Sequence, residues 1–237
     1  MRFLSSGDTA LIVEFADNID RAASARIVRL ASTLAVAPPP GMIEVVPTIR
    51  SLMVVYDPTR TRRGELEAAI GALETAPDVG GAPARRWTIP VSYADEHAPD
   101  LPHVAAETRL SREDTIARHA GATYHVYMLG FLPGFAYMGD LDAALRLPRR
   151  RNPRTRVPAG SIAIAQQLTA IYPAESPGGW HLIGRTPVRF FDPGADPPAV
   201  LTPGDQVRFA PISNAEYRKI AVAVAARSYR LSSEVAG

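Results

Sequence analysis

The stretch from Pro148 to Pro187, PRRRNPRTRVPAGSIAIAQQLTAIYPAESPGGWHLIGRTP, gathers prolines, glycines and arginines around two short apolar runs. Such a segment holds backbone and side chains at fixed places around a pocket. Pro158 and Gly160 bracket a turn that feeds Ser161–Ala165, whose alternation predicts a strand. Ser176-Pro177-Gly178-Gly179 predicts a second turn before Trp180. Paired glycines expose backbone N–H groups without Cβ obstruction, so that turn either accepts a carboxylate, phosphate or developing oxyanion, or is a tight hairpin of a β-barrel.

Six arginines lie between Arg146 and Arg156. A charge run of this kind is often a solvated loop. Here Pro148, Pro153 and Pro158 stiffen it, so that Arg154 and Arg156 are presented as forks for an anionic substrate, a nucleotide phosphate or an acidic partner surface. Arg185, just past the second turn, is placed with them as an anion site, or ties strands together through backbone carbonyls.

Apolar periodicity stops at Ala76–Arg86 and divides the chain into residues 1–80, an α+β domain, and residues 85–237. Upstream, Ala10–Phe15, Ile43–Pro47 and Ser51–Tyr56 read as strands. Ile19, Ala23, Ile27, Leu30 and Leu34 form one helical face within Ile19–Ala35, and Leu66, Ala69, Ile70 and Leu73 form a second, which gives two helices against an antiparallel sheet. Downstream, short strands recur at near-regular spacing as in a barrel or sandwich: Trp87–Tyr93, Tyr124–Gly130, Ser161–Ala165, Thr169–Tyr172, Thr186–Phe191 and Gln206–Ala210. A helical insert interrupts them, with helices at Asp100–Glu107 and Ser111–His119, the second opened by Ser111 as N-cap with Asp114 in the capping-box position. Its spacing resembles a helix-turn-helix, but Ser111, Arg112, Glu113 and Asp114 are as acidic as basic, which argues against nucleic acid.

The chain has 237 residues, is 46% hydrophobic and carries a formal net charge of +2, so a packed core follows and a polyanionic partner does not. Lys219 is the only lysine and there is no cysteine. This excludes a Walker-type phosphate loop, a biotin-bearing lysine in a typical carrier motif, disulfides and zinc–thiolate sites. No signal segment and no membrane-spanning run is read, so a cytoplasmic protein is expected. His119 ends the second helix, His125 sits in the strand after it and, as a lone strand histidine, reads as structural more readily than catalytic, and His181 is placed to face the same pocket as Tyr172. No Ser-His-Asp or Cys-His constellation and no histidine pair at metal-ligand spacing is legible. The run Tyr127–Tyr137 holds too many large side chains beside too many turn residues for a plain core strand. Phe131 and Phe135 are therefore expected at a surface covered by a partner or ligand, unless both fill the interior.

GDTALIVEF (Gly7–Phe15), GFLPGFAYMGDL (Gly130–Leu141), PRRRNPRTRVPAGSIAIA (Pro148–Ala165), TAIYPAESPGGWHLIGRTP (Thr169–Pro187) and LTPGDQVRFAPI (Leu201–Ile212) together resemble one family. It is the family of the B-type subunit of bacterial 5-oxoprolinase, also known as allophanate hydrolase subunit 1, as KipI-type kinase inhibitors and as carboxyltransferase subdomains C and D. The resemblance implies a cyclophilin-like β-barrel for residues 85–237. It also implies a hetero-oligomer with a C-type partner subunit (allophanate hydrolase subunit 2, KipA-like) that uses ATP with Mg2+ to phosphorylate 5-oxoproline before a third subunit opens the ring to glutamate. A urea- or allophanate-type carboxyltransferase subunit and a non-catalytic inhibitor of a histidine kinase are the other activities it admits. The family pattern marks Phe135, Tyr137, Tyr172 and Trp180 as pocket walls, with Ser176, Gly178, Gly179 and Arg185 as polar contacts. Ser161 joins Arg154 and Arg156 as an anion- or nucleotide-binding set. No resident metal and no self-sufficient active site are read from this chain. Where many members carry a glycine-rich run ending in Gln-Thr-Gly, this chain has Ala163, Gln166, Gln167, Leu168 and Ala170, whose added side chains predict a smaller pocket.

Overall fold

A computed structural model of the chain describes residues 1–75 and 83–236. It divides into two compact units, Met1–Pro83 and Ala84–Gly237. The expected boundary at Ala76–Arg86 lies, for residues 76–82, outside the described residues.

In the first unit β1 (Arg2–Ser6), β2 (Ala10–Glu14), α1 (Arg21–Val36), β3 (Met42–Pro47), β4 (Ser51–Tyr56) and α2 (Arg63–Thr75) follow one another. The sheet is antiparallel throughout, in the order β1-β2-β4-β3. Alternation decides its face: Leu11 and Val13 of β2 and Leu52, Val54 and Tyr56 of β4 turn inward and meet Ile27, Leu30 and Leu34 of α1 and Leu66 and Ile70 of α2. Each such burial stabilises by about 1.5–3 kcal/mol. Ile19 stays outside the helix because Asp20 caps it, accepting the Ala23 amide at 2.7 Å. The unexpected β1 is an edge strand whose residues are mostly exposed, so it carries little apolar pattern.

The second unit runs β5 (Arg85–Val91), α3 (Leu101–Thr108), α4 (Arg112–Gly121), β6 (Tyr124–Leu129), β7 (Ala136–Gly139), a 3-10 turn (Ala143–Leu145), β8 (Arg154–Val157), β9 (Ser161–Ala165), β10 (Leu168–Ile171), β11 (Ser176–Gly178), β12 (His181–Arg185), β13 (Gln206–Pro211), α5 (Asn214–Ala225) and β14 (Ser232–Val235). Eight strands form one sheet, β12-β9-β10-β7-β6-β13-β5-β14, with only β13 and β5 parallel, and β8 and β11 make a separate ribbon. The ladder itself does not close. One isolated bridge joins Ser92, just after β5, to Arg185 of β12, each amide donating to the other's carbonyl at 2.9 Å. All residues of β9 and β10 are buried, so the Ile/Ala alternation of β9 reflects two covered faces and not a wet one. The expected strand at Thr186–Phe191 does not form. Val188 and Phe190 still turn inward, but Pro187 has no N–H to give a ladder. The helical insert is present, with the Ser111 hydroxyl accepting the Asp114 amide at 2.9 Å. Among the described residues no helix is long and apolar enough to cross a membrane.

Candidate functional site

The second expected turn is a strand. Ser176–Gly178 pairs with β8, Ser176 opposite Val157 and Gly178 opposite Arg154. Gly178 is required for a reason other than a turn: a Cβ there would overlap the Tyr172 hydroxyl. Gly160 does need its freedom, with φ +79° and a Cβ direction blocked by the Thr186 carbonyl.

With Tyr172 seated against Gly178, an aromatic cluster assembles. Phe135 meets Tyr172 edge-on at 5.0 Å, Tyr137 at 4.9 Å and Trp180 at 6.2 Å, and Tyr137 meets Trp180 at 5.9 Å. Phe135, Tyr172 and Trp180 are only 2, 1 and 5% exposed, so they form a floor more than open walls; Tyr137 is half-buried. Phe131 and Phe135, expected to behave alike, part company: Phe131 is 61% exposed and touches Phe135 edge-on at 5.4 Å. Burial raises the Tyr172 phenol to about 12 and is reinforced by Tyr137, while the charges of Arg149 and Arg154 oppose it. Burial also raises Tyr137, again opposed by Arg149.

Next to this floor lies a carboxylate that the sequence reading missed. Asp100, 5% exposed at its side chain, accepts Arg150 Nη1 at 2.7 Å, both terminal nitrogens of Arg154 at 2.8 and 2.7 Å, and the Leu182 amide at 2.7 Å. Burial pushes the Asp100 carboxyl up, but the bonds from Arg154 and Leu182 and the charges of Arg154 and Arg150 outweigh it and hold it below the usual range. The Arg154 fork is therefore occupied from within the chain. Arg156 forks onto Glu175 at 2.9 and 2.9 Å, both groups exposed, and Arg185 Nε donates to the Ala159 carbonyl at 2.8 Å. Ser161 is buried, and its carbonyl accepts the Tyr172 amide at 2.9 Å. Arg154, Arg156 and Arg185 thus have separate partners and share no common acceptor. The sequence signal for Asp100 is only its place at the start of the expected helix Asp100–Glu107; the helix begins at Leu101, and Asp100 precedes it without a side-chain cap bond.

Around the site three buried polar atoms lack a protein partner: Ser176 Oγ, Arg150 Nε and His181 Nδ1. His181 Nε2 donates to the Pro148 carbonyl at 2.9 Å, and the ring stacks on His103 at 5.4 Å. His119 is structural in geometry. Tyr93 OH lies 2.8 Å from Nδ1, Nε2 lies 3.1 Å from Thr169 Oγ1, and Thr169 donates onward to the Ala163 carbonyl at 3.1 Å. That last bond makes Thr169 the acceptor from Nε2–H and Nδ1 the acceptor from Tyr93. Burial lowers the His119 ring to about 3. His125 packs edge-on against Tyr127 at 4.6 Å. Among the described residues no three His, Asp or Glu side chains gather where they could hold a metal ion.

The family model of the carboxyltransferase domain, subdomain C and D, matches residues 1–201. The chain belongs to this family. Within it, the B-type 5-oxoprolinase subunit of Bacillus subtilis is 36% identical over 89% of this chain and 92% of its own length. The protein of the same name from Escherichia coli O157:H7 is 38% identical over 86% and 93%. Among solved structures, the K. lactis urea amidolyase superposes with a TM-score of 0.80 over 98% of this chain, which spans 16% of that protein; at 24% identity this shows the shared fold. The carboxyltransferase-domain match takes in every residue of the aromatic floor and the Asp100 cluster, whereas β13, α5 and β14 lie beyond it.

Proposed function

We propose that this chain is the B-type subunit of an ATP-dependent 5-oxoprolinase, converting 5-oxoproline to L-glutamate in the cytoplasm together with a C-type partner subunit. The observation that carries this is the match, over nine-tenths of their own length, to two proteins named as B-type subunits of 5-oxoprolinase. A lactam is resonance-stabilised, and ATP supplies the activation that its hydrolysis lacks. Among the described residues the site does not fit a magnesium donor set, because its carboxylate, Asp100, is already held by two arginines and an amide. ATP with Mg2+ is accordingly assigned to the assembled complex, and biotin has no carrier here, Lys219 being the only lysine.

In this reading Phe135, Tyr172 and Trp180 form the floor against which the lactam ring lies, with Tyr137 at its open edge. Ser176, whose buried hydroxyl lacks a partner, and Gly178, close against the Tyr172 hydroxyl, border it, with Gly179 and Arg185 read as further polar contacts. The forks of Arg154 and Arg156 and the backbone of Ser161 hold the frame. The two units are read as domains, the second a cyclophilin-like barrel whose closure the Ser92–Arg185 bridge supports. The shared fold with urea amidolyase keeps a carboxyltransferase-like role as the alternative. Measuring ADP release by the complex with its partner separates them: 5-oxoproline alone should support it and avidin should not inhibit. Release that requires urea and bicarbonate and is blocked by avidin would favour the alternative.

A further inference from the structure

Arg149 lies with its guanidinium carbon 5.8 Å above the Trp180 ring and, among the described residues, makes no ion pair. Its neighbours in the same segment differ: Arg150 and Arg154 share Asp100, and Arg156 has Glu175. The backbone holds Arg149 in place. The Pro148 carbonyl accepts His181 Nε2 at 2.9 Å, and the Arg150 amide donates to the Gly179 carbonyl at 2.8 Å. Residues on either side of Arg149 are thus tied to residues on either side of Trp180, which sets cation opposite ring. A guanidinium lying on an aromatic face keeps its in-plane N–H edge free for an acceptor. Charge accumulates at the same place, since Arg149, Arg150 and Arg154 are met there by the single carboxylate of Asp100. The opposing effect of Arg149 on both Tyr137 and Tyr172 places its charge within reach of the two phenols that edge and floor the site.

We infer that Arg149 recognises a carboxylate at this aromatic face, so that the site takes a small planar ring bearing a carboxylate and not a neutral urea. The inference rests on the 5-oxoprolinase reading and assigns within it the group that distinguishes a lactam acid from a plain lactam. A nucleotide phosphate offers the same fork-binding chemistry, and the experiment must tell the two apart.

The test uses the complex assembled with its partner, as wild type, Arg149→Gln and Arg149→Lys, with KM measured separately for 5-oxoproline and for ATP. Inhibition by 2-pyrrolidinone, the same ring without a carboxylate, is measured alongside. Arg149→Gln should raise the KM for 5-oxoproline about ten- to a hundredfold, the worth of a charge-assisted pair. Arg149→Lys should fall between, and the KM for ATP, the 2-pyrrolidinone inhibition constant and Tm should stay unchanged. An unchanged KM for 5-oxoproline in an active Arg149→Gln complex overturns the inference and leaves the activity standing. A raised KM for ATP alone reassigns Arg149 to phosphate and also overturns it. A wild-type complex with no 5-oxoproline turnover removes the activity, and the inference with it.

Discussion

His119 ties α4 to the sheet through Tyr93 and Thr169 in a site without water access, and burial lowers its ring to about 3. The unfolded chain carries this histidine near 6.5. Between those values the unfolded state takes up a proton that the folded state refuses, so stability is full above about pH 6.5 and falls as the pH is lowered towards 3. At pH 5 the loss is about 2 kcal/mol, from roughly one and a half pH units at 1.36 kcal/mol each. Urea denaturation of wild type and His119→Gln at pH 7.5 and 5.0 reads it directly. The variant loses the Tyr93 and Thr169 bonds and starts less stable, but it lacks the titration. The wild type should therefore lose about 2 kcal/mol more than the variant over this interval. Equal losses in the two proteins, or an NMR titration of His119 near 6.5 in the folded chain, would refute the reasoning.

Asp100→Ala strands Arg150, Arg154 and the Leu182 amide, and should cost about 3–5 kcal/mol in urea denaturation; a loss below about 1 kcal/mol would mean that water serves these groups equally well. Gly178→Ala pushes a Cβ into the Tyr172 hydroxyl and should cost about 1–3 kcal/mol, part of it regained in the Gly178→Ala/Tyr172→Phe double variant; strictly additive losses would contradict the close approach. Phe131→Ser should leave the unfolding free energy within about 0.5 kcal/mol of wild type, whereas Phe135→Ser should cost about 3 kcal/mol or more. Similar losses for the two would put both rings in the core.

What could be read from the sequence follows from how locally each feature is encoded. The period of Ile27, Leu30 and Leu34 and the alternation of Leu52, Val54 and Tyr56 each fix an element from within, and both elements form as read. β8 and β11 hold RTRV and SPG, which carry no such period. They become strands only because they pair with each other across twenty residues of intervening chain, roughly, a pairing that no local propensity announces. Phe135 and Tyr137 are legible as large side chains amid turn residues, whereas Tyr172 and Trp180 are marked only by the family resemblance. Asp100 is not legible, because its partners Arg150, Arg154 and Leu182 lie far along the chain and only the fold brings them to it. For the same reason the arginine run could not be resolved into occupied and open forks before the carboxylates were placed.

On the proposed function, this chain supplies part of a 5-oxoprolinase site and works only in company. Glutamate formation from 5-oxoproline and ATP, measured for the chain alone, for its partner subunits alone and for all together, tests it most directly. Turnover is expected only in the complete mixture. Turnover by the isolated chain at an enzyme-like rate, about 1 s⁻¹ or more, would contradict it, as would a complete assembly that forms no glutamate.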